Sequence, residues 1–157
     1  MTINQPLIDH ERLAQVIAQT REVAFAVLIG SRANHTARDD SDWDIAVLWE
    51  PAEHSARPTA RPTAQPTAQP MAPSPSDTAL ARLGQHEALR HRLARCLNVT
   101  EEKIDLIDLA SAGLAMKAAV AEEGVALRIN NELAWAYFQS TTWRELEDHY
   151  WDAAHAA

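Results

Sequence analysis

Residues 23–29, with the sequence VAFAVLI, constrain the fold of this chain more than any other stretch. Seven consecutive apolar residues rich in β-formers are typical of a strand that is buried on both faces. Such a strand needs partner strands for its backbone hydrogen bonds and packed helices for its side chains. The run therefore predicts a central strand in a sheet of the α/β or α+β class.

The flanking sequence supplies alternating helices and strands around this run. A helix from Ser111 to Glu123 is expected to end at Gly124 in a left-handed conformation. The other predicted elements, in chain order, are a helix at 9–20, a strand at 42–49, a helix from Ser76 or Asp77 to Leu97, strands at 103–109 and 125–129, and a helix at 131–154.

Residues 51–76 differ in kind from the rest of the chain. They consist largely of the repeat ARPT-ARPT-AQPT-AQPM, with a proline in every unit. Proline fixes φ and removes a backbone donor, so neither helix nor sheet propagates through such a segment. We expect a flexible Pro/Ala-rich insertion within one domain that spans residues 1–157.

The composition of the chain indicates which kinds of partner and which cellular location to expect. The formal net charge is −8, which argues against direct binding of nucleic acid, because phosphate backbones are bound by Lys and Arg. No apolar run approaches the roughly 20 residues that cross a bilayer, so no membrane association is expected. The single cysteine and the absence of a recognisable signal peptide at the first residues predict a cytoplasmic protein.

A Gly-Ser pair follows the central strand directly. Gly30 allows a tight turn and a close approach of phosphate to the backbone, and successive N–H groups in such a turn form an anion-binding concavity. The Ser31 hydroxyl adds another donor. Arg32 either reaches a nucleotide triphosphate or lies in solvent, and the sequence does not decide between the two.

A pair of carboxylates begins the second strand. Asp42 and Asp44 are two positions apart and therefore point to the same face, with Trp43 on the opposite face. Two close carboxylates repel each other unless a cation lies between them. Magnesium prefers such oxygens together with phosphate oxygens, and two Mg²⁺ ions can clamp an in-line displacement.

A third acid is expected from the strand at 103–109. Asp105 lies well inside the apolar segment, whereas Asp108 lies nearer its end and can instead cap the following turn. We prefer Asp105 as the third metal ligand and as the group that helps to deprotonate an attacking hydroxyl. Asp108 stays open as the alternative.

These motifs carry a family resemblance. Gly30-Ser31, ten residues, Asp42-x-Asp44 and then Asp105 in IDLIDL resemble the nucleotidyltransferase superfamily that includes DNA polymerase beta. Within it, the short length, the segment EEG-VAL and the closing WRELEDHYWD resemble the minimal nucleotidyltransferases (MNT), specifically the MntA-like adenylyltransferase antitoxins. The resemblance covers the whole chain except residues 51–76. The insertion and the bulky Trp43 depart from the family pattern.

The resemblance implies a mixed sheet like the polymerase beta palm, with helices packed on it. It implies that Gly30 and Ser31 bind the nucleotide and that Asp42, Asp44 and Asp105 bind metal and catalyse. The implied activity is a protein adenylyltransferase that uses ATP and two Mg²⁺ ions. Its implied acceptor is a tyrosine hydroxyl of a partner HEPN-domain ribonuclease toxin, which AMPylation would silence.

Two other functions stay open from the sequence. The chain could neutralise its partner by binding alone, or it could modify a small hydroxylated antibiotic, although it has no obvious second domain to hold one. The final predicted helix carries six of the nine aromatic residues. Core packing is the favoured explanation for most of them, with a partner-binding surface as the alternative.

Overall fold

The computed structural model describes residues 5–51 and 75–155. The predicted order of helices and strands is confirmed, with a short helix added after the first strand. The elements are α1 (Gln5–Ala18), β1 (Val23–Ile29), α2 (Gly30–Ala33), β2 (Trp43–Trp49), α3 (Pro75–Leu97), a 3₁₀ turn (Glu101–Lys103), β3 (Ile104–Asp108), α4 (Leu114–Glu123), β4 (Val125–Ile129) and α5 (Glu132–His155). Nearly all of the insertion predicted at 51–76 lies outside the described residues, so its character stays a prediction.

The strands of the described chain form one mixed sheet in the order β3-β2-β1-β4. β1 runs antiparallel to both β2 and β4, whereas β2 runs parallel to β3. The helix α3 makes the long crossover that a parallel pair requires. The expected fold class, an α+β domain with a mixed sheet and packed helices, is confirmed.

Helices cover the two faces of the sheet. On one face, α1 and α3 contribute Leu13, Ile17, Leu89 and Leu93 to a core shared with Trp43 and its strand neighbours. On the other face, α4 and α5 contribute further apolar side chains, including Val120 and Phe138. All seven residues of β1 are buried, as the uninterrupted apolar run predicts. None of the helices within these ranges is long and apolar enough to cross a membrane.

The start of α4 differs from the prediction. The helix begins at Leu114 and not at Ser111. The Asp108 carboxylate accepts a bond from the Ala110 N–H at 3.0 Å, and the Asp108 carbonyl accepts one from the Ser111 N–H at 3.2 Å. These bonds hold residues 108–111 in a turn, which delays the helix by three residues.

Gly124 ends α4 for a different reason from the one predicted. Its φ of −70° is extended and not left-handed. A Cβ at this position would lie 2.5 Å from the Val120 carbonyl oxygen and would also overlap the Val27 side chain. The glycine is required because α4 turns into β4 in close contact with β1.

The aromatic residues of α5 contradict the expectation that most of them pack in the core. Phe138 and Trp135 contact the Phe25 ring. The other four are exposed, with exposed fractions of 69% for Tyr137, 45% for Trp143, 67% for Tyr150 and 67% for Trp151.

Candidate active site

Three chain segments that carry the predicted site residues meet at one edge of the sheet. β1 ends at Ile29, and Gly30 follows it. Because β2 is antiparallel to β1, it begins at this edge, with Ile29 paired to Asp44. Because β3 is parallel to β2, it also begins here, with Asp44 paired to Asp105. The topology therefore assembles residues that are up to 75 positions apart.

Asp44 and Asp105 lie side by side on neighbouring strands. Register partners in a parallel pair point to the same face and stand about 4.8 Å apart. Asp44 points toward the α4–α5 face, whereas Trp43 and Ile45 belong to the core on the α1–α3 face. The predicted alternation of β2 is therefore confirmed. Asp105 is exposed, so solvent or a docked acceptor can reach it.

Asp108 lies away from this pair. It is aligned with Val47, about 10 Å further along the strands, and its carboxylate caps the turn after β3. The structure thus brings Asp105 next to Asp44 and leaves Asp108 outside the site.

The carboxyl group of Asp44 is half-buried and has its pKa raised above the usual range. Burial is the largest cause, followed by the charges of Asp105 and Asp42, while Arg32 acts in the opposite direction. Ionising Asp44 in the protein alone therefore costs free energy. A divalent cation would remove this cost, and carboxylate oxygens are the ligands that Mg²⁺ prefers. The residues present fit a magnesium ion in this respect.

Gly30 brings the backbone directly against the Asp44 carboxylate. It has a φ of +70°, and a Cβ added there would lie 2.5 Å from Asp44 Oδ2. Both the conformation and the contact require glycine. Its carbonyl accepts the Asn34 N–H at 3.2 Å, and the Ser31 carbonyl accepts the Thr36 N–H at 2.9 Å. These bonds fix the turn predicted to bind phosphate.

Arg32 is only partly exposed and contacts the protein through its guanidinium group. Its Cζ atom lies 4.1 Å from the centre of the Trp43 ring. Its Nε donates to the carbonyls of Ser41 and Asp42 at 3.2 and 3.1 Å, and its Nη2 donates to Ser41 at 2.5 Å. The side chain therefore ties α2 to the backbone that enters β2. This role differs from both alternatives that the sequence left open, and triphosphate binding by Arg32 stays untested.

Asp42 is exposed and paired with a residue that sequence reasoning missed. Its Oδ1 accepts a bond from Lys103 Nζ at 3.0 Å, and the same nitrogen donates to the Asp40 carbonyl at 2.6 Å. Lys103 immediately precedes β3, so the parallel pairing that aligns Asp105 also brings this lysine to the same edge. The sequence signal that could have identified this contact is a lysine directly before the strand that carries Asp105.

The three predicted metal ligands are therefore only partly assembled. Asp44 and Asp105 are adjacent, while Asp42 is held by Lys103. Across residues 5–51 and 75–155, no three acidic, histidine or cysteine side chains lie close enough together to hold a metal ion. Joint metal binding by Asp42, Asp44 and Asp105 stays a prediction, and Lys103 competes with a metal ion for one oxygen of Asp42.

A known protein family matches the part of the chain that carries the Gly-Ser turn and the acidic pair. Residues 11–61 match the family model described as polymerase beta, nucleotidyltransferase. That range contains both Gly30-Ser31 and Asp42-x-Asp44. Over this range the chain is similar to the polymerase beta nucleotidyltransferases. No curated protein matches this chain in sequence.

Solved structures share the fold of this chain over nearly its whole length. A toxin–antitoxin crystal structure with AMP-PNP is 18% identical, with 98% of this chain and 94% of that chain covered and a TM-score of 0.58. A complex of a tri-AMPylated Shewanella oneidensis HEPN toxin with an MNT antitoxin is 18% identical, with coverages of 96% and 92% and a TM-score of 0.53. An MntA–HepT toxin–antitoxin structure is 19% identical, with coverages of 96% and 92% and a TM-score of 0.52. At these identities the likeness concerns the fold.

Proposed function

We propose that this chain is the antitoxin of a HEPN/MNT toxin–antitoxin pair and transfers AMP from ATP to a tyrosine hydroxyl of the HEPN ribonuclease toxin. The observation that carries the proposal is the contact of the Gly30 turn with Asp44, with Asp105 directly beside it. The similar solved structures support the partner and the nucleotide, since they include a complex with AMP-PNP and a tri-AMPylated toxin.

The proposed reaction is a displacement at the α-phosphorus of ATP. The backbone N–H groups of the Gly30-Ser31 turn and the Ser31 hydroxyl hold the triphosphate. The tyrosine oxygen forms a bond to the α-phosphorus, the bond to the bridging oxygen of the β-phosphate breaks, and pyrophosphate leaves. Asp105 assists by accepting the hydroxyl proton. Its exposure allows an acceptor on another protein to approach.

Magnesium fits the carboxylates of this site. Asp42, Asp44 and Asp105 would hold it, and when bound it would neutralise charge on the phosphates during the displacement. Within the protein, Asp44 gains most from that neutralisation, because its ionised form is disfavoured by burial and by its two acidic neighbours. In the protein alone, the Lys103 ammonium group balances the charge of the Asp42 carboxylate.

Label transfer tests this proposal directly. The purified chain, Mg²⁺ and the HEPN toxin proposed as its partner are incubated with α-labelled ATP, which reports transfer of AMP. A parallel reaction with γ-labelled ATP is the control, because that label is transferred only if the terminal phosphate is. Asp44→Asn and Asp105→Asn should each lower transfer by about 100-fold or more. Asp108→Asn makes the same change on the same strand outside the site and should transfer normally. A wild-type chain that transfers no label would refute the proposal.

A second candidate function is neutralisation of the toxin by binding alone. The pairing of Asp42 with Lys103 favours it, because that ion pair occupies one of the three expected metal ligands. Growth rescue separates the two functions. If the variant Asp44→Asn with Asp105→Asn still protects cells from the toxin as well as wild type does, binding is sufficient and transfer is dispensable.

A further inference from the structure

The outer face of α5 carries most of the large hydrophobic side chains that are exposed in the described chain. Five of the large hydrophobic side chains that are exposed belong to this helix, namely Leu133, Tyr137, Trp143, Tyr150 and Trp151. Soluble proteins expose single apolar residues commonly, but an exposed cluster rich in Trp and Tyr marks an interaction site.

The spacing of these residues places them opposite the packed side of α5. Phe138, Thr142 and Leu146 recur every four residues and are buried. At 100° per residue, Tyr137 and Trp151 lie on the far side of the helix from this buried stripe, and Trp143 and Tyr150 lie on the adjoining flank. Every residue from 147 to 155 is exposed, so the last turns of α5 carry no cover from the described elements.

The same helix is strongly acidic. It contains five acidic residues and a single Arg. Among the described residues, Glu145 of this helix forms an ion pair with Lys117 at 3.6 Å. Glu147, Asp148 and Asp152 are exposed among the last aromatic residues. A surface of this charge repels phosphate backbones and attracts Lys and Arg.

We propose that this outer face of α5 is the docking surface for the basic, RNA-binding face of the ribonuclease toxin, an inference that rests on the proposed function. A ribonuclease must hold its substrate with Lys and Arg, and these are the side chains that exposed carboxylates and Trp or Tyr rings attract together. Docking there would cover the surface on which the toxin binds RNA.

The size of the surface suits such a contact. Aromatic side chains bury about 150–250 Å² each, so four that are roughly half to two-thirds exposed offer on the order of 500 Å². A standard interface buries about 800 Å² on each partner. The acidic side chains that surround the rings provide the remainder as a polar rim.

Binding of purified HEPN toxin, measured by biolayer interferometry, tests the assignment. The double variant Tyr150→Ser with Trp151→Ser should weaken the dissociation constant by about 100-fold, since buried Trp and Tyr are the commonest hot spots. The control is Leu80→Ser with Leu83→Ser, which removes two comparably exposed apolar side chains from α3 and should change binding less than about threefold.

Variants that reverse charge on α5 provide a second test of the docking surface. Glu147→Lys with Asp148→Lys should also weaken binding and should flatten its dependence on salt, because exposed opposite charges across the interface are screened by ions. All altered side chains are exposed, and circular dichroism should show an unchanged fold. Equal binding of the aromatic variant and wild type would overturn the assignment.

The outcomes separate docking from catalysis. If the aromatic variant loses binding while wild type binds the toxin without transferring label, the docking surface stands and the proposed reaction fails. If the variant binds and transfers normally, the reaction stands and the docking surface is wrong. If the variant abolishes a wild-type dimer in sedimentation yet binds the toxin normally, a second copy covers α5 and the proposal is overturned. A wild-type chain that does not bind the toxin refutes both.

Discussion

The Arg32 guanidinium lies over the Trp43 ring, with its Cζ atom 4.1 Å from the ring centre. The two residues come from α2 and from the first position of β2, so their contact spans the loop between the Gly30-Ser31 turn, which we propose to bind phosphate, and the acidic pair. The additional bonds from Arg32 to the carbonyls of Ser41 and Asp42 fix the path of that loop. Arg32 therefore sets the position of Asp42 relative to Gly30 and is a positioning residue in this structure.

A double-mutant cycle tests this positioning role. Arg32→Met and Trp43→Leu should each destabilise the fold by about 1–2 kcal/mol and weaken AMP-PNP binding, and the double variant should cost less than the sum. Thermal unfolding and calorimetric titration measure both effects. Arg32→Lys should not restore them, because an ammonium group cannot reproduce a planar, stacked guanidinium. Additive effects would show that the two side chains act separately.

Gly30→Ala should damage both stability and nucleotide binding. The substitution places a Cβ at a φ of +70° and 2.5 Å from Asp44 Oδ2, so the backbone or the carboxylate must move. We expect a loss of about 1–3 kcal/mol in the free energy of unfolding.

Gly84→Ala is the matched control for this change. Gly84 lies within α3 and has no atom within 4 Å of an added Cβ. Its replacement should stabilise the protein by up to about 1 kcal/mol. Urea unfolding of the two variants should therefore give opposite signs, and a shared sign would contradict the interpretation of Gly30.

Asp44→Asn should stabilise the metal-free protein at neutral pH. The folded protein holds the Asp44 proton more tightly than the unfolded chain does, because the pKa is raised by burial and by Asp105 and Asp42. The resulting cost is absent below the unfolded pKa, about 3.9, and develops as the pH rises through the folded pKa. In EDTA, the melting temperature of the Asp44→Asn variant should therefore exceed that of wild type near pH 7. The two melting temperatures should converge below about pH 4. A variant that melts lower at pH 7 would contradict this account.

Lys103→Met should tighten the binding of a divalent cation. Lys103 Nζ bonds Asp42 Oδ1 and therefore competes with a metal ion for this carboxylate. Removing this competitor should lower the dissociation constant for Mn²⁺ by about three- to tenfold, measured by electron paramagnetic resonance of the free ion. Lys117→Met removes an equal charge from α4, away from the site, and should leave Mn²⁺ binding unchanged. Weaker binding in Lys103→Met would show that the lysine orients Asp42 for the metal.

The sequence was sufficient for features that depend on local pattern. The apolar run of residues 23–29 predicted a fully buried strand, and the period of two in β2 predicted that Asp44 and Trp43 face opposite sides. The Asx-type turn at Asp108 was weighed correctly as an alternative use of that residue. In each of these cases the sequence pattern that carries the prediction lies within a few neighbouring residues.

Features that depend on contacts between distant segments were not predictable in this way. Lys103 reaches Asp42 only because β3 pairs in parallel with β2 at a particular register. Gly124 is required both by the Val27 side chain on β1 and by the Val120 carbonyl of the helix that it ends, and the first of these contacts depends on how α4 packs against the sheet. Tyr150 and Trp151 are exposed because α5 extends beyond the elements that pack against it. Helical periodicity does not specify how far that packing reaches.

The strand β2 has its acidic end and its connection to the proline repeat at opposite ends. Asp44 opens the strand, whereas the chain departs from Glu50 toward residues 51–76, about 20 Å away along the backbone. Lengthening or shortening the repeat therefore leaves the register of Asp44 with Ile29 and Asp105 unaltered. We therefore expect a tag or reporter inserted in this connection to leave the arrangement at the acidic end of the strand intact.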